Sequence, residues 1–168
     1  SAHPMDVMRT GCSMLGTLEP EGDFENQQNT ANRLLGALPS IINYWYQYSH
    51  HQNRIETETD EDSLAGHFLK TLLGESPSEL HQRVMDVSLI LYAEHEFNAS
   101  TFTSRVVCST LSDLHSSITA SIGALKGPLH GGANERVMEV LQKVGSSDRA
   151  ESWVREALAN KVRIMGFG

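Results

Sequence analysis

Apolar side chains recur at helical spacing along most of this chain, and that periodicity restricts its fold more than any other feature. Between Leu34 and Trp45, and again between Leu114 and Leu125, apolar residues stand three or four positions apart, which is the spacing of one face of an α-helix. No stretch of useful length alternates apolar and polar residues as a half-buried strand does. We therefore predict an all-α fold with about eight or nine helices.

Proline, glycine and hydroxyl residues predict where individual helices begin and end. Pro4 is typical of a first helical turn and Gly16 of a helix C-terminus. The residues Ser76-Pro77-Ser78-Glu79 have the form of a capping box, followed by a helix with an apolar face of Leu80, Val84, Val87 and Leu91. Further boundaries are predicted from a loop at 19–29, a helix end near His50, C-terminal glycines at Gly74 and Gly145, and N-caps at Ser100, Asp113 and Asp148.

The composition argues against a membrane or a nucleic acid as a partner. The 168 residues suffice for one domain, or for one domain and part of another. No apolar run approaches the length of a membrane span, and the net charge of −8 comes without a basic stripe. Part of that charge is the acidic run 56–62, called here the acidic loop, which we interpret as a solvated connection.

The two cysteines, Cys12 and Cys108, lack the spacing of metal ligands and lie in apolar helical contexts. We expect both to be buried free thiols, which is typical of a reducing compartment such as the cytoplasm. The pair His50-His51 has no further ligand at a suitable distance along the chain. No metal site is therefore predicted.

A histidine stands between a Gly-Pro pair and a Gly-Gly pair in the segment 127–132, directly before a helical pattern. Glycines let backbone pass close to a ligand, and the N–H groups of a starting helix favour negative charge. His130 would therefore suit a substrate that develops charge on an oxygen. On spacing alone, a helix-entry loop with an exposed histidine is an equally good interpretation.

A second polar cluster occupies seven residues and contains His95, Asn98, Ser100 and Thr101. One helical pattern ends at His95 and the next begins at Ser100, so all four residues are expected at a helix junction. Convergent donors of this kind suit a ligand that offers several acceptor oxygens. On this segment alone, an ordinary turn capped by Asn and Ser, with a satisfied histidine, is the favoured interpretation.

Three segments are similar to motifs of the citrate synthase family. HEFNASTF at 95–102 resembles its oxaloacetate-binding segment, GPLHGGANE at 127–135 its catalytic-histidine segment, and IMGFG at 164–168 its GFGH loop. HPMDVMR at 3–9 and DSLAGHFL at 62–69 extend the resemblance over nearly the whole chain. The first two segments are most similar to those of the 2-methylcitrate synthase branch of the family.

The resemblance implies a carbon–carbon bond-forming acyltransfer, in which an acyl-CoA condenses with oxaloacetate and the thioester is then hydrolysed. Propionyl-CoA is the expected acyl donor and acetyl-CoA the alternative. His130 matches the catalytic histidine, and His95, Asn98 and Ser100 match residues that bind oxaloacetate. Acyl-CoA is thus expected as a substrate, without a permanently bound cofactor. The residues that match the CoA-binding stretch, or stand just before it, are Arg163, Ile164, Met165, Gly166 and Phe167.

The resemblance also implies an architecture. Residues 1–129 would belong to a large helical domain and 130–168 to the start of a small domain, both partial. The family's second histidine and its catalytic aspartate have no counterpart here, so we expect an internal fragment that is inactive alone. Family members are homodimers, for which the helix 113–125 and the helix around Ile90 are the candidate surfaces. A non-catalytic helical interaction module on the same scaffold is the alternative function.

Overall fold

The structure, a computed structural model, describes residues 2–164, and within that range its regular elements are helices without any strand. The all-α prediction is therefore confirmed. Short 3₁₀-helices at Phe24–Asn26 and Ser147–Arg149 precede two of the α-helices. The α-helices are α1 (Pro4–Leu18), α2 (Gln27–His51), α3 (Leu64–Leu73), α4 (Glu79–Tyr92), α5 (Ala99–Cys108), α6 (Leu114–Leu125), α7 (Gly132–Val144) and α8 (Ala150–Ala159).

The protein divides into two compact units, residues 1–123 and 124–168. The first unit contains α1 to α5 and most of α6. The second contains the turn after α6 together with α7 and α8. The predicted division into two partial domains after residue 129 stays a prediction, because it concerns the domains of the family's fold and not the compact units within this chain.

Several helix boundaries lie where local signals predict them. Pro4 occupies the first position of α1, and the His3 imidazole accepts a hydrogen bond from the Met5 N–H at 3.1 Å. Gly74 follows α3 with a φ of 80°, in the left-handed region that favours glycine. Asp113 caps α6, because its Oδ1 accepts from the backbone N–H of Ser116 at 2.9 Å.

Gly16 does not end α1, contrary to the prediction, and the helix continues to Leu18. A Cβ at residue 16 would lie 2.8 Å from the Cβ of His115 on α6. The glycine therefore allows two helices to approach closely rather than ending one of them. The same approach leaves His115 only 3% exposed.

The predicted cap of α4 is also wrong, by two residues. Ser78 caps the helix by accepting from the backbone N–H of His81 at 3.2 Å. The Ser76 hydroxyl instead donates to the Glu61 carboxylate at 3.0 Å. The choice between two neighbouring serines is thus made by a partner that is distant in sequence.

Two further boundaries differ from the prediction. Asp148 lies inside a 3₁₀-helix instead of capping α8, and a hydrogen bond from the Ser146 side chain lowers the pKa of its carboxyl group. α2 begins at Gln27, inside the predicted loop, because the 3₁₀-helix Phe24–Asn26 already brings the chain into a helical conformation.

A small apolar cluster at the contact of α1, α2 and α6 forms the core of the first unit. Full burial of one Leu or Ile side chain stabilises a fold by about 1.5–3 kcal/mol, so this cluster holds the three helices together. Its burial raises the pKa of the Cys12 thiol, which is free, as predicted. The buried members are Cys12, Leu15, Leu34, Ala37 and Ile122.

Polar side chains connect α2 to α3. Asn43 is 1% exposed, and its amide donates to the Phe68 carbonyl and to Thr71 Oγ1, both at 2.9 Å. The buried Gln47 donates to the carbonyl of Leu72. Since an unpaired buried amide is costly, these bonds specify how the two helices align.

The acidic loop is a connection without helix, as predicted, but it is attached to the helices rather than freely solvated. The ring of His67 lies between two hydroxyls, with Nε2 at 3.0 Å from Ser40 Oγ and Nδ1 at 3.0 Å from Thr59 Oγ1. Lys70 forms an ion pair with Asp60. α2 and α3 thus both hold this loop.

The apolar face of α4 is exposed in this chain. α4 packs against α3, and its predicted apolar residues have exposed fractions between 41% and 74%. A continuous apolar surface of this kind is typical of a contact surface. Its members are Leu80, Val84, Val87 and Leu91.

We expect Asn43→Ala to lower the free energy of unfolding by about 1–3 kcal/mol, because two acceptors on α3 lose their buried donor. Chemical denaturation followed by circular dichroism measures the change. Asn32→Ala is the matched control, since Asn32 is exposed on the same helix, and its effect should stay within about 0.5 kcal/mol. Equal losses in the two variants would contradict a structural role for the buried amide.

Candidate active site

The first predicted site segment forms the turn at residues 93–98, between α4 and α5. α4 ends at Tyr92, and Asn98 is the N-cap of α5. Glu96 has a φ of 52°, a left-handed conformation that reverses the chain direction. His95 is exposed in this turn, just before a helix N-terminus. The expected helix junction is present.

Asn98, rather than the predicted Ser100, caps α5. Its Oδ1 accepts from the Thr101 N–H at 2.9 Å and from the Ser100 hydroxyl at 2.7 Å. The Asn98 amide nitrogen makes a long contact of 3.5 Å to the carbonyl of His95. The amide oxygen is thus engaged by the helix, and the NH₂ group is the donor of this side chain.

Hydroxyl and thiol groups join α5 to α6 at both ends of α5. The single proton of the Ser121 hydroxyl is shared between the carbonyls of Ser100 and Ser117, each 3.0 Å from Oγ. At the other end, the Cys108 thiol donates to Ser117 Oγ at 3.1 Å. Cys108 is exposed, contrary to the predicted buried thiol, because α5 lies at the surface with no buried residue.

An arginine contributes positive charge beside the 93–98 turn. The guanidinium carbon of Arg105 lies 5.0 Å from the centroid of the Phe97 ring, which is the geometry of a cation–π contact. Phe97 is 74% exposed. Arg105 thus brings one positive charge to a turn that itself carries the carboxylates of Glu94 and Glu96.

The second predicted site segment forms the turn between α6 and α7, in the second unit. The His130 N–H donates to the carbonyl of Gly127 at 3.0 Å, and the Gly131 N–H to that of Leu125 at 3.0 Å. A Cβ at residue 131 would lie 2.3 Å from the Leu125 oxygen, so this position requires glycine. α7 begins at Gly132. His130 is thus presented, half-buried, just before a helix N-terminus.

The start of α7 determines the electrostatics around His130. Its N-cap is Gly131, which has no side chain to accept from the first-turn N–H groups. These N–H groups carry partial positive charge. An N–H of the His130 ring can donate one hydrogen bond to an oxygen that becomes negative.

The predicted CoA-binding stretch follows α8. Lys161 has a φ of 55°, which turns the chain after the helix. Arg163 is exposed and Ile164 is half-buried. The remaining predicted residues, Met165, Gly166 and Phe167, lie outside the described residues.

A cavity of about 760 Å³ in the first unit does not coincide with the predicted site residues. It is lined by α1, α2 and the acidic loop, with Tyr44, Trp45 and Glu58 among its walls. His95 and Asn98 instead lie on a surface turn. Their environment in this chain is an open surface rather than a closed pocket.

Neither a metal site nor a membrane span is found in the described part of the chain. Among residues 2–164, no group of His, Cys, Asp or Glu is arranged to hold a metal ion. The helices within the same range are too short or too polar to cross a bilayer.

The chain belongs to the citrate synthase family. The family model described as "Citrate synthase, C-terminal domain" matches residues 1–168. The all-α fold agrees with that assignment.

Curated relatives carry two different names. A protein of Shewanella oneidensis called 2-methylcitrate synthase is 62% identical over 167 residues, which are 99% of this chain and 44% of that protein. A protein of Bacillus subtilis called citrate synthase 2 is 45% identical over 171 residues, covering 100% of this chain and 46% of that protein. The chain thus spans less than half the length of these relatives.

Solved citrate synthase structures share this fold. That of Thermotoga maritima has a TM-score of 0.79 and 38% identity, and the match covers 100% of this chain and 44% of that chain. That of Thermoplasma acidophilum, a ternary complex with carboxymethyl coenzyme A and oxaloacetate, has a TM-score of 0.79 and 30% identity over 99% of this chain and 44% of that chain.

We expect Asn98→Ala to lower the free energy of unfolding by about 1 kcal/mol, because the start of α5 loses its cap. Asn98→Asp should keep the wild-type value, since a carboxylate caps a helix as well as an amide does. Chemical denaturation measures both variants. Amide hydrogen exchange at Thr101 reports the cap directly and should accelerate in Asn98→Ala alone. Equal destabilisation by Ala and Asp would show that the cap contributes nothing.

Proposed function

We propose that this chain is part of a 2-methylcitrate synthase, which condenses propionyl-CoA with oxaloacetate to give 2-methylcitrate and CoA. The observation that carries the proposal is the pair of turns that present His95 and His130 before helix starts, in a chain 62% identical to a 2-methylcitrate synthase. Citrate synthesis from acetyl-CoA is the second candidate, because a relative named citrate synthase 2 is 45% identical.

His130 is proposed to stabilise the enolate of the acyl-CoA. Removal of a proton from the carbon next to the thioester puts negative charge on the thioester oxygen. A neutral imidazole that donates a hydrogen bond to that oxygen stabilises the charge where it forms. The base that takes the proton is proposed to lie outside these 168 residues.

The 93–98 turn is proposed to bind oxaloacetate, with His95, Asn98 and Ser100 as the contacts. The ketone and carboxylate oxygens of oxaloacetate need donors, and the NH₂ group of Asn98 and the His95 ring can supply them. The first N–H groups of α5 add partial positive charge. A His95 that donates to the ketone oxygen polarises the carbonyl carbon, which the enol carbon then attacks. Water finally cleaves the thioester and releases CoA.

CoA itself is proposed to contact the stretch after α8. Arg163 is exposed and carries a planar group of donors that matches a phosphate. Ile164 and the residues that follow it are proposed to hold the adenine through their backbone. Acyl-CoA is then a substrate that leaves as CoA and not a resident cofactor.

The whole protein is proposed to be a cytoplasmic homodimer. The exposed apolar face of α4 and the helix α6 are the candidate contact surfaces. Apolar patches of this kind are commonly buried by a partner. The free thiols of Cys12 and Cys108 suit a reducing compartment.

A non-catalytic interaction module on the same scaffold is the competing proposal from another class. Release of CoA thiol, measured with propionyl-CoA and oxaloacetate on the complete protein, separates the two. Oxaloacetate-dependent release supports the synthase. The absence of release, together with no heat of oxaloacetate binding by calorimetry, would favour the module.

In the complete protein we expect His130→Ala to lower kcat by at least about 100-fold, on the scale of one lost donor to an oxyanion. Steady-state thiol release measures the change. His81→Ala is the matched control, because His81 is exposed near the start of α4 and belongs to neither turn, and it should leave kcat unchanged. A His130→Ala enzyme with near-normal kcat would overturn the role given to this histidine.

We expect the complete protein to have a higher kcat/KM for propionyl-CoA than for acetyl-CoA. One additional methylene in an apolar pocket changes this ratio by about 10–200-fold. Paired steady-state assays with the two thioesters measure it at a fixed oxaloacetate concentration. A preference for acetyl-CoA would favour the citrate synthase alternative and leave the family assignment intact.

A further inference from the structure

One hydroxyl on α6 reaches the start of the proposed oxaloacetate-binding helix. Ser121 Oγ donates to the carbonyl of Ser100 at 3.0 Å, across a sequence separation of 21 residues. The same hydroxyl is 3.0 Å from the carbonyl of Ser117 on its own helix, so its single proton is shared between acceptors on two helices. Ser121 itself is half-buried. The bridge therefore operates where competition from solvent is reduced.

The bridge continues into the proposed binding turn. The Ser100 hydroxyl donates to Asn98 Oδ1 at 2.7 Å, and that oxygen also caps α5 through the Thr101 N–H at 2.9 Å. Two successive hydrogen bonds, with Ser100 between them, thus connect Ser121 to the Asn98 amide group that would face oxaloacetate. A shift at Ser100 changes the direction in which the Asn98 NH₂ group points.

The second contact between the two helices determines what loss of Ser121 would do. Cys108, at the C-terminal end of α5, donates to the fully buried Ser117 at 3.1 Å. Without the Ser121 bond, α5 would still be held at this end. Its N-terminal end, with the 93–98 turn, would then be free to pivot. The expected consequence is misalignment of the binding turn rather than loss of the fold.

We propose that Ser121 is a positioning residue for oxaloacetate recognition: its hydroxyl holds the N-terminal turn of α5 so that Asn98 and His95 keep their orientation. This inference rests on the proposed function. It assigns to α6 a role in substrate specificity that acts through α5 and requires no contact between Ser121 and the substrate.

In the complete protein, Ser121→Ala should raise KM for oxaloacetate by about 3–10-fold, the range expected for loss of one hydrogen bond. KM for the acyl-CoA should change by less than about twofold, because the bond supports only the oxaloacetate turn. A general loss of stability would lower the active fraction, and thus kcat, without raising KM for one substrate. Steady-state kinetics with each substrate varied in turn make the distinction.

The pair Ser121→Thr and Ser121→Val tests the hydroxyl itself, because the two side chains have nearly the same shape. Thr should restore the wild-type KM for oxaloacetate and Val should not. Calorimetric titration with oxaloacetate supplies the same comparison if Ser121→Ala does not fold. Ser88→Ala is the matched control. Its hydroxyl makes a bond within α4 alone, to Val84 at 2.8 Å, so its removal should leave both KM values unchanged.

The outcomes separate this inference from the proposed function. An active wild type, with the same KM for oxaloacetate in Ser121→Ala as in the wild type, overturns the positioning role alone. Equal KM increases in the Thr and Val variants overturn it too, since the hydroxyl would then be irrelevant. A wild type that neither releases CoA nor binds oxaloacetate overturns the proposed function and this inference together.

Discussion

Two carboxylates fix the start of α6, and both histidine turns are connected to that helix. Asp113 accepts from the N–H of Ser116 at 2.9 Å, and Glu21 accepts from the N–H of Leu114 at 3.0 Å across 93 residues of sequence. A hydrogen bond from the Ser116 side chain also lowers the pKa of Asp113, which keeps this cap ionised. α6 receives α5 through its hydroxyls and continues directly into the turn that carries His130. A displacement of α6 would therefore also displace the 93–98 turn.

Local sequence signals predict the helices, and contacts with residues distant in sequence explain the boundaries that these signals predict wrongly. Asp113 caps a helix as predicted, because the acceptor and the N–H group it needs lie three residues apart. The prediction that Gly16 ends a helix is wrong, because this glycine instead makes room for His115 of α6. No local sequence pattern indicates that contact. Ser78 replaces Ser76 as a cap for the same kind of reason: a remote carboxylate engages one of two equivalent hydroxyls.

The candidate site also combines features that local sequence signals predict with features that depend on distant partners. The placement of His95 and His130 just before helix starts could be predicted, because periodicity and glycine content mark those starts. Their chemical roles come from the resemblance and remain proposals. The bonds of Asn98, the ring contact of Arg105 and the bridge from Ser121 join elements that are adjacent only after folding. Sequence spacing contains no signal for such contacts, so the support behind the turn became visible only in the structure.

The choice of asparagine as the cap of α5 has a physical reason if the turn binds a dicarboxylate. A serine cap offers one oxygen and one proton, and an aspartate cap would place negative charge beside an anionic ligand. An asparagine accepts from the helix through Oδ1 and keeps two N–H donors on the same rigid amide plane. In Asn98 the oxygen is engaged by Thr101 and Ser100, which fixes the plane and therefore the direction of the donors. The bond that starts the helix is thus also the bond that orients the group proposed to recognise oxaloacetate.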